Sequence, residues 1–405
     1  MSSCVVDLPE DIILKILCRL PVKSLIRFTC VSKRWRSMII SDPQFGKSHH
    51  QLASQQRTLR REVLLTTYPK LRDPGPISLA RSGGFFKLPP RFQSLEDNFS
   101  VKNFTIPCEK SEDIIVMASC NGLVLVGESN RGYLRNLSIW NPSTGCFRNL
   151  PRPSFPERSV QSAGNEYKFS VNYGFGHVSA SDDYKLVFII PALGDLPEVH
   201  VFSMRANIWK VITAPYSSWP RWRGGQGTLS NEAIHWVIRH KNESSDPVIY
   251  AFDLAEEGFR QVPLPLVLWQ DEDDKTSTEI TTLVHLGGSL CILSRKHYYP
   301  VKGEVWAMTE YGVPESWVKL FQFDVRDLPD VFSRLYGPWD ICFITESNII
   351  MLRRDNELFW FERRNEEKLI CSGQYRIEEV QPEVPECSCY FHAIGYDETL
   401  VSVAE

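Results

Sequence analysis

Apolar residues recur at helical spacing over the first forty positions of the chain. A helix is predicted to begin at Leu8-Pro9, because proline is tolerated in a first turn, and to end at Pro21, because proline cannot continue it. Its apolar residues form two neighbouring stripes, which are Ile13, Leu17 and Leu20 in one and Ile12 and Ile16 in the other. One stripe can serve the segment's own core, so the other is available for a different surface.

Two further short helices are predicted, from Val22 to Cys30 and over "KRWRSMII", where Ser32 is a favourable N-cap. Three helices in about forty residues are close to the size below which a single apolar core rarely suffices. The segment should therefore need an outside surface to cover its second stripe. Either another protein or the chain's own downstream part could provide it.

Downstream of Ile114 the pattern changes to strands, and one phrase recurs: an apolar strand with an aromatic near its end, a turn, and an aromatic that opens a second strand. The five copies are "LSIWNPSTGCFRNL", "VHVFSMRANIWKVI", "VIYAFDLAEEGFRQV", "EVWAMTEYGVPESWVKLF" and "LFWFERRNEEKLICSGQYRI". Their anchoring aromatics are Trp140, Phe202, Phe252, Trp306 and Trp360, which are 62, 50, 54 and 54 residues apart. This spacing is near the ~50 residues of kelch-like propeller blades, and the aromatics are predicted to fill the core between blades.

A second hairpin with a tight polar turn precedes each phrase, as in "MASCNGLVLV" and "LVHLGGSLCIL". Four strands per unit, repeated five times, indicate a β-propeller. A last hairpin, "YFHAIGYDETLVSV", ends the chain, whereas the predicted strands from residue 60 to 106 lack an inner hairpin. The predicted fold class is a small all-α unit of three helices followed by an all-β propeller of about six blades. Its last blade is closed by N- and C-terminal strands, which removes free sheet edges.

The formal net charge of -4 is unevenly distributed. Residues 1–60 carry ten Lys or Arg against four Asp or Glu, so the rest of the chain carries -10. A β-rich part this acidic is a poor nucleic-acid binder, because phosphate neutralisation needs clustered Lys and Arg. No nucleic-acid partner is predicted.

Eleven cysteines are scattered singly, without the framework of disulfide-rich secreted domains, and are interpreted as reduced. The N-terminus has acidic residues where a signal peptide needs a basic and then an apolar run, and no stretch approaches the ~18 apolar residues of a membrane span. The sequence predicts an intracellular protein of the cytoplasm, the nucleus or both, without membrane contact.

No nucleophile motif, phosphate-binding loop or paired metal motif occurs, so no catalytic residue, cofactor or metal is predicted. The segment "CSCYFH" offers three possible zinc ligands, but Cys-x-Cys on a strand has no obvious fourth partner. Four histidines in or beside predicted strands are interpreted as structural residues: His177, His235, His285 and His392.

One combined pattern covers residues 7–46: Leu8-Pro9, Ile12, Ile16, Leu17, Arg19-Leu20-Pro21, Leu25, Val31-Ser32-Lys33, Trp35 and Ile39. It resembles the F-box, the motif that docks on a Skp-type adaptor in Skp-cullin-F-box ubiquitin ligases. The resemblance implies an adaptor-facing surface formed or supported by Leu8, Pro9, Ile12, Ile16, Leu20, Pro21, Leu25, Val31 and Trp35. The neighbouring basic residues are either an ordinary solvated face or a rim that steers an acidic partner: Lys23, Arg27, Lys33, Arg34 and Arg36.

The phrases "SCNGLVLV…IWNPSTG", "YGFG…DDYKLV" and "VIYAFDL" resemble the F-box-associated domain of plant F-box proteins more closely than true kelch repeats. The two resemblances imply an F-box over residues 1–46, a linker helix or connector over 47–60 and a substrate-binding propeller over 61–405. They imply a non-catalytic receptor subunit of an E3 ubiquitin ligase. Its partners would be a Skp-type adaptor, through it cullin and RING subunits, and an unidentified target destined for the proteasome. The alternative is a propeller enzyme or small-ligand sensor that carries an F-box.

The two faces of the predicted propeller differ in loop length. In an up-and-down blade the connections between strands 1 and 2 and between strands 3 and 4 share one face. The connections on the other face are longer here, and recognition usually occurs on long loops of a rigid scaffold. The predicted target-binding residues are Trp219, Arg221, Trp222, Arg223, Tyr298, Tyr299, Arg334, Tyr336 and Trp339. The acidic run from Asp271 to Asp274 is their predicted charge-selecting rim.

Overall fold

The computed structural model consists of a helical N-terminal module followed by an all-β propeller, as the sequence predicted. It describes part of the 405-residue chain. The described residues are 8–72, 85–87, 91–95, 101–106, 113–130, 133–155, 171–190, 196–215, 225–238, 247–265, 278–296, 302–324, 340–344, 349–354, 357–365, 368–376 and 388–403.

Within the described residues, four α-helices form the N-terminal module: α1 (Glu10–Leu17), α2 (Val22–Phe28), α3 (Lys33–Arg36) and α4 (Pro43–Gln55). A π-helical turn over Ser37–Ser41 follows α3. The Ser32 hydroxyl caps α3 by accepting from the backbone amide of Trp35 at 3.1 Å. The Asp42 carboxylate caps α4 by accepting from the amide of Gln44 at 3.0 Å.

The prediction of three helices was wrong. The third predicted helix is a single α-helical turn continued by the π-helical turn, and α4 begins after it because Asp42 and Pro43 are favourable N-cap and first-turn residues. α4 runs across residues 46 and 47, where the sequence suggested the end of the F-box.

The strands begin with β1 (Arg61–Arg72), β2 (Phe85–Lys87), β3 (Arg91–Leu95) and β4 (Val101–Phe104). The first blade has β5 (Asp113–Cys120), β6 (Leu123–Asn130), β7 (Tyr133–Trp140) and β8 (Phe147–Asn149). The second has β9 (Asn172–Val178), β10 (Asp183–Ile190), β11 (Glu198–Ser203) and β12 (Ile208–Thr213). The third has β13 (Thr228–Ser230), β14 (Ala233–Ile238), β15 (Val248–Asp253) and β16 (Gly258–Val262).

The fourth blade has β17 (Thr278–Leu286), β18 (Ser289–Lys296), β19 (Lys302–Met308) and β20 (Trp317–Asp324). The fifth has β21 (Asp340–Ile344), β22 (Ile349–Arg354), β23 (Glu357–Asn365) and β24 (Lys368–Arg376). The last described strand is β25 (Ser388–Asp397). Every blade is antiparallel, and its strands pair in chain order.

The two ends of the propeller chain meet in one five-stranded sheet. In this closing sheet β1 pairs with β2, β3 and β25, and β3 pairs with β4. The pairing of β1 with β25 extends from Arg61 opposite Asp397 to Lys70 opposite Ser388. β25 also lies beside β5 of the first blade and β21 of the fifth, so the closing sheet joins the two ends of the ring.

The prediction of about six blades, the last with a C-terminal hairpin, is corrected by this arrangement. The described residues form five four-stranded blades and a closing sheet of different composition. β25 is only the first half of the expected hairpin, because residues 398–403 leave the sheet. Their apolar side chains Leu400, Val401 and Val403 are buried against the helices and the first two blades instead. An apolar pattern in the sequence cannot distinguish burial within a strand of the sheet from burial of a segment that has left the sheet.

The anchoring aromatics of the repeated phrase lie on the third strand of each blade, β7, β11, β15, β19 and β23. Trp140, Phe202, Phe252 and Trp306 are buried, whereas Trp360 is half-buried. Each of the four buried rings belongs to an apolar cluster shared by neighbouring sheets. The prediction that these aromatics form the core between blades is confirmed for these four.

A buried carboxyl group joins three strands of the closing sheet. Glu62 on β1 accepts hydrogen bonds from Ser94 Oγ on β3 at 2.5 Å and from the Tyr396 hydroxyl on β25 at 2.8 Å. Glu398, directly after β25, is half-buried beside this group. Burial, together with the Glu62 carboxyl, raises the pKa of Glu398 to about 7, against the opposing effect of nearby cations.

We expect Glu398 to make the protein less stable as the pH rises. Its folded pKa lies above the ordinary value of 4.5, so its stabilising contribution is complete below pH 4.5 and is lost as the pH rises through about 7. Glu398→Gln removes the charge and should raise the melting temperature at pH 8 but not at pH 4.5. Thermal denaturation of both chains at the two pH values tests this. The same difference between the chains at both pH values would contradict it.

Candidate functional site

The two apolar stripes of α1 have opposite environments. Leu17 is buried in the helical module, and Ile13 and Leu20 pack half-buried against the same core. The side chains of Leu8, Ile12 and Ile16 are 55%, 40% and 48% exposed. Ile12 and Ile16 are one turn apart and share the solvent side of α1, and Leu8 lies just ahead of the helix, before its N-cap Pro9. We call Leu8, Ile12 and Ile16 the outward stripe.

The other residues of the predicted adaptor surface divide into exposed and supporting side chains. Val31 is 63% exposed, and Pro9 and Pro21 are also exposed. Leu20 and Trp35 are half-buried, with the Trp35 ring edge-on to Phe28 at 5.6 Å between centroids. Leu25 is fully buried in the core of the helical module, so it can support the surface but cannot contact a partner.

Basic side chains are exposed on the two helices that follow α1. All five residues of the predicted basic rim are exposed: Lys23, Arg27, Lys33, Arg34 and Arg36. Arg34 on α3 forms an ion pair with Glu10 at 3.0 Å, at the start of α1. An exposed pair of this kind contributes little to stability, but it aligns the two helices beside the stripe. The positive side of the module can attract an acidic partner over a distance of about one Debye length, ~8–10 Å.

The inner side of the helical module rests on the propeller chain. Leu17, Leu25, Ile39 and Phe45 pack around Leu400, which follows β25. The helical module therefore contacts its own chain through this inner side, while the outward stripe stays exposed. The sequence left open whether the chain's own downstream part or another protein covers the second apolar stripe. The downstream part covers the inner side of the module, so the outward stripe is available to another protein.

The helical module sits at the side of the propeller that carries the short turns. Lys47 on α4 contacts Asp182 in the turn between β9 and β10, with Nζ and Oδ2 2.6 Å apart. The turns between β5 and β6 and between β7 and β8 hold the segment that carries Leu400. The opposite ends of these strands, such as Thr213 of β12, lead into the long connections.

The predicted target-binding residues all lie outside the described residues. They are Trp219, Arg221, Trp222, Arg223, Tyr298, Tyr299, Arg334, Tyr336 and Trp339, together with the acidic run from Asp271 to Asp274. They remain predictions. The described strand ends that flank them, at Thr213, Lys296 and Asp324, are the ends directed away from the helical module.

Histidines of the propeller have structural partners. His235 binds the Thr228 carbonyl through Nδ1 at 3.1 Å and the Tyr311 hydroxyl through Nε2 at 2.6 Å, and burial lowers its pKa to about 4. His177 binds Asp182 at 2.9 Å. In the part of the chain that the structure describes, no three His, Cys, Asp or Glu side chains converge as metal ligands would. Among the described helices, none has the length and apolar character needed to cross a membrane.

The described residues thus form a small helical module with an exposed apolar stripe, followed by a β-propeller. Residues 6–45 match the F-box domain, and residues 77–333, more than half of the chain, match the F-box associated beta propeller domain. The chain belongs to the family of F-box proteins with an F-box associated β-propeller domain. The family resemblance inferred from the sequence is thereby confirmed.

Relatives of this chain with similar length occur in Arabidopsis thaliana. The F-box protein CPR1 is 29% identical over 375 residues, which are 88% of this chain and 82% of the relative. The putative F-box protein At3g16210 is 26% identical over 389 residues, 92% of each chain. Among solved structures, the periplasmic gluconolactonase PpgL of Pseudomonas aeruginosa matches with a TM-score of 0.41 and 13% identity, over 78% of this chain and 84% of that chain.

Proposed function

We propose that this chain is the substrate-recognition subunit of a Skp-cullin-F-box E3 ubiquitin ligase. The F-box docks on a Skp-type adaptor, which connects the chain to the cullin and RING subunits. The propeller captures a target protein for ubiquitination and proteasomal degradation. The observation that carries the proposal is the outward stripe, since neighbouring large aliphatic side chains exposed on a small module are typical of a protein-binding surface.

The outward stripe has the size of a binding anchor. Complete burial of one Leu or Ile side chain contributes roughly 1.5–3 kcal/mol, before the costs of association are subtracted. Leu8, Ile12 and Ile16 together with Val31 therefore support tight docking if an adaptor covers them. The basic rim beside them favours an adaptor with an acidic surface, which raises the rate of encounter more than the final affinity.

The propeller holds the target on the face opposite the F-box. The F-box contacts the side with the short turns, and the described strand ends that lead into the long connections lie on the other side. Trp and Arg are enriched at binding hot spots, which supports Trp219, Trp222 and Arg223 as target contacts. The rate gain of such a receptor comes from proximity between the target and the ubiquitin-charged enzyme.

The chain acts without catalysis of its own, in the cytoplasm, the nucleus or both. The hydrogen bonds of His235 and His177 to structural partners support a scaffold role for these side chains. The alternative, a propeller enzyme or small-ligand sensor that carries an F-box, requires catalytic or ligand-binding groups at the long-loop face. Turnover or ligand binding that survives loss of the adaptor would favour this alternative.

Affinity capture with the proteasome inhibited tests the proposal. The tagged full chain should recover a Skp-type adaptor, cullin and a ubiquitinated protein from plant cells. A variant with Trp219, Trp222 and Arg223 replaced together by Ala should recover the same adaptor and lose most of the ubiquitinated protein. Absence of the adaptor from the wild-type capture would refute the proposal. Unchanged target recovery by the triple variant would show that the target binds another face.

A further inference from the structure

Residues 398–403, which follow β25, contact both modules of the molecule, and we call this segment the strap. We propose that the strap is a positioning element that fixes the orientation of the F-box on the propeller. It sets the direction in which a bound target faces the rest of the ligase. This inference rests on the proposed function, because the orientation matters for transfer only if both modules serve one target.

Two short turns of the first blade hold the strap on its propeller side. Asn141, fully buried after β7, donates from Nδ2 to the carbonyl oxygens of Thr399 at 3.1 Å and Val401 at 2.8 Å. Its Oδ1 accepts from the backbone amides of its own turn. The Thr399 hydroxyl donates to the carbonyl of Asn121, in the turn between β5 and β6, at 2.9 Å. The Ser143 hydroxyl in the same turn also accepts from the Thr399 backbone amide at 3.3 Å, so Asn141 and Ser143 together connect the β7–β8 turn with the strap.

The turn between β5 and β6 fits closely against the strap. Gly122 has a φ of +79°, and a Cβ at this position would collide with the side chain of Thr399. Only glycine satisfies both the backbone angle and the close approach. Val401 and Val403 are buried in the apolar cluster that the first and second blades share, so the strap is anchored by apolar contacts as well as by hydrogen bonds.

Leu400 connects the strap with the F-box. Its side chain is buried among Leu17, Leu25 and Phe45, where it fills part of the core of the helical module. Gly46 on α4 lies so close to the Leu400 backbone that an added Cβ would collide with the Leu400 carbonyl oxygen. Successive strap residues therefore belong to different modules: Thr399 and Val401 to the propeller, and Leu400 to the F-box.

One exposed ion pair supports the same orientation. Lys47 on α4 contacts Asp182 at 2.6 Å, and His177 contacts the other oxygen of Asp182 at 2.9 Å. The hydrogen bond from Lys47, followed by the one from His177, lowers the pKa of Asp182 below its ordinary value. An exposed ion pair is a weak connection, so the buried strap is the principal one.

Without the strap, the covalent connection from α4 to β1 would be the main link between the modules. One covalent connection restricts the orientation of the F-box less than contacts on both sides of the strap do. Transfer that depends on proximity also depends on the direction in which the target is presented. The strap therefore makes a chain with two binding modules into a receptor of defined geometry.

Four variants of the full chain separate the role of the strap from general stability. Asn141→Asp keeps Oδ1 for its own turn but loses the donor to the strap. Leu400→Ala opens a gap in the F-box core, and Leu400→Met fills it again at similar volume. Asn231→Asp is the matched control, because Asn231 is an exposed residue in the turn between β13 and β14, away from the strap.

Hydrogen exchange of these chains measures the connection directly. The α4 amides of Asn141→Asp and Leu400→Ala should exchange at least tenfold faster than in the wild type, whereas the β10 and β14 amides stay protected. Leu400→Met and Asn231→Asp should behave like the wild type. Unchanged α4 exchange in both strap variants, or equal acceleration in β10 and β14, would overturn the positioning role.

A reconstituted ligase with the Skp-type adaptor, cullin and RING subunits tests the consequence for transfer. Mapping of self-ubiquitinated lysines should give a wider set of propeller sites in Asn141→Asp than in the wild type, at equal adaptor affinity. An unchanged set of sites would overturn the role in transfer. A wild-type chain that binds no adaptor would refute the proposed function, while the hydrogen-exchange result would still decide whether the strap fixes the F-box.

Discussion

Ile16→Arg is expected to weaken binding of the Skp-type adaptor roughly a hundredfold without changing the melting temperature of the chain. Ile16 is 48% exposed and shares the solvent side of α1 with Ile12, which is 40% exposed. In the free chain an arginine at this position stays in water. In the docked complex its charge would be desolvated against apolar side chains without a partner. Calorimetric titration with the purified adaptor measures the loss.

Ile208→Arg is the matched control for this prediction. Ile208 is 62% exposed on β12, the outer strand of the second blade, and the same substitution there should leave adaptor affinity unchanged. Leu17→Ala separates docking from folding, since Leu17 is buried and its truncation should destabilise the helical module by about 2–5 kcal/mol. Equal adaptor affinity of Ile16→Arg and Ile208→Arg would show that the docking surface lies away from α1.

Trp140→Ala is expected to lower the free energy of unfolding of the propeller by about 3–5 kcal/mol. Trp140 is 1% exposed and its ring meets Phe104 edge-on, with centroids 5.4 Å apart. The cluster around it contains Val126 of the first blade and Ile394 of β25, so truncation opens a cavity where the ring of blades closes. Urea denaturation followed by circular dichroism measures the change.

Trp209→Ala provides the comparison for the core substitution. Trp209 lies half-buried on the outer strand β12 and donates from Nε1 to the Pro151 carbonyl at 2.8 Å. Its truncation should cost less than that of Trp140, because the outer strand can relax toward solvent. A loss at Trp209 equal to or greater than that at Trp140 would contradict the assignment of Trp140 to the closure of the ring.

The separation of the two apolar stripes of the first helix could be predicted from the sequence. A helix repeats every 3.6 residues, so the spacing alone separated the stripe of Ile12 and Ile16 from that of Leu17 and its neighbours. The exposures of these residues agree with that separation. Leu25 shows the limit of the pattern: it fits the motif, but the fold buries it completely in the core of the helical module.

The target face could be predicted only from loop length and composition. Loop composition indicates which residue types are available for recognition, but it contains no periodicity that would define their positions. Trp219 and the other predicted target contacts lie outside the described residues, so their role stays a prediction. The structure describes where the helical module contacts the propeller, which is the side with the short turns. This position favours target binding on the opposite face.

The sequence by itself determined the two modules, the propeller period and the aromatic core, because each depends on local spacing that neighbouring residues impose. The composition of the closing sheet and the strap depended on the tertiary structure, whereas the sequence already indicated a linker helix or connector over residues 47–60, where most of α4 lies. "TLVSV" at the C-terminus has the composition of a strand, and only its contacts show that Leu400 is buried in the F-box while Val401 is buried in the propeller. Apolar spacing indicates that a side chain is buried, but not which residues it packs against. For the C-terminal segment these include residues more than two hundred positions away, such as Asn141, which binds the Val401 carbonyl.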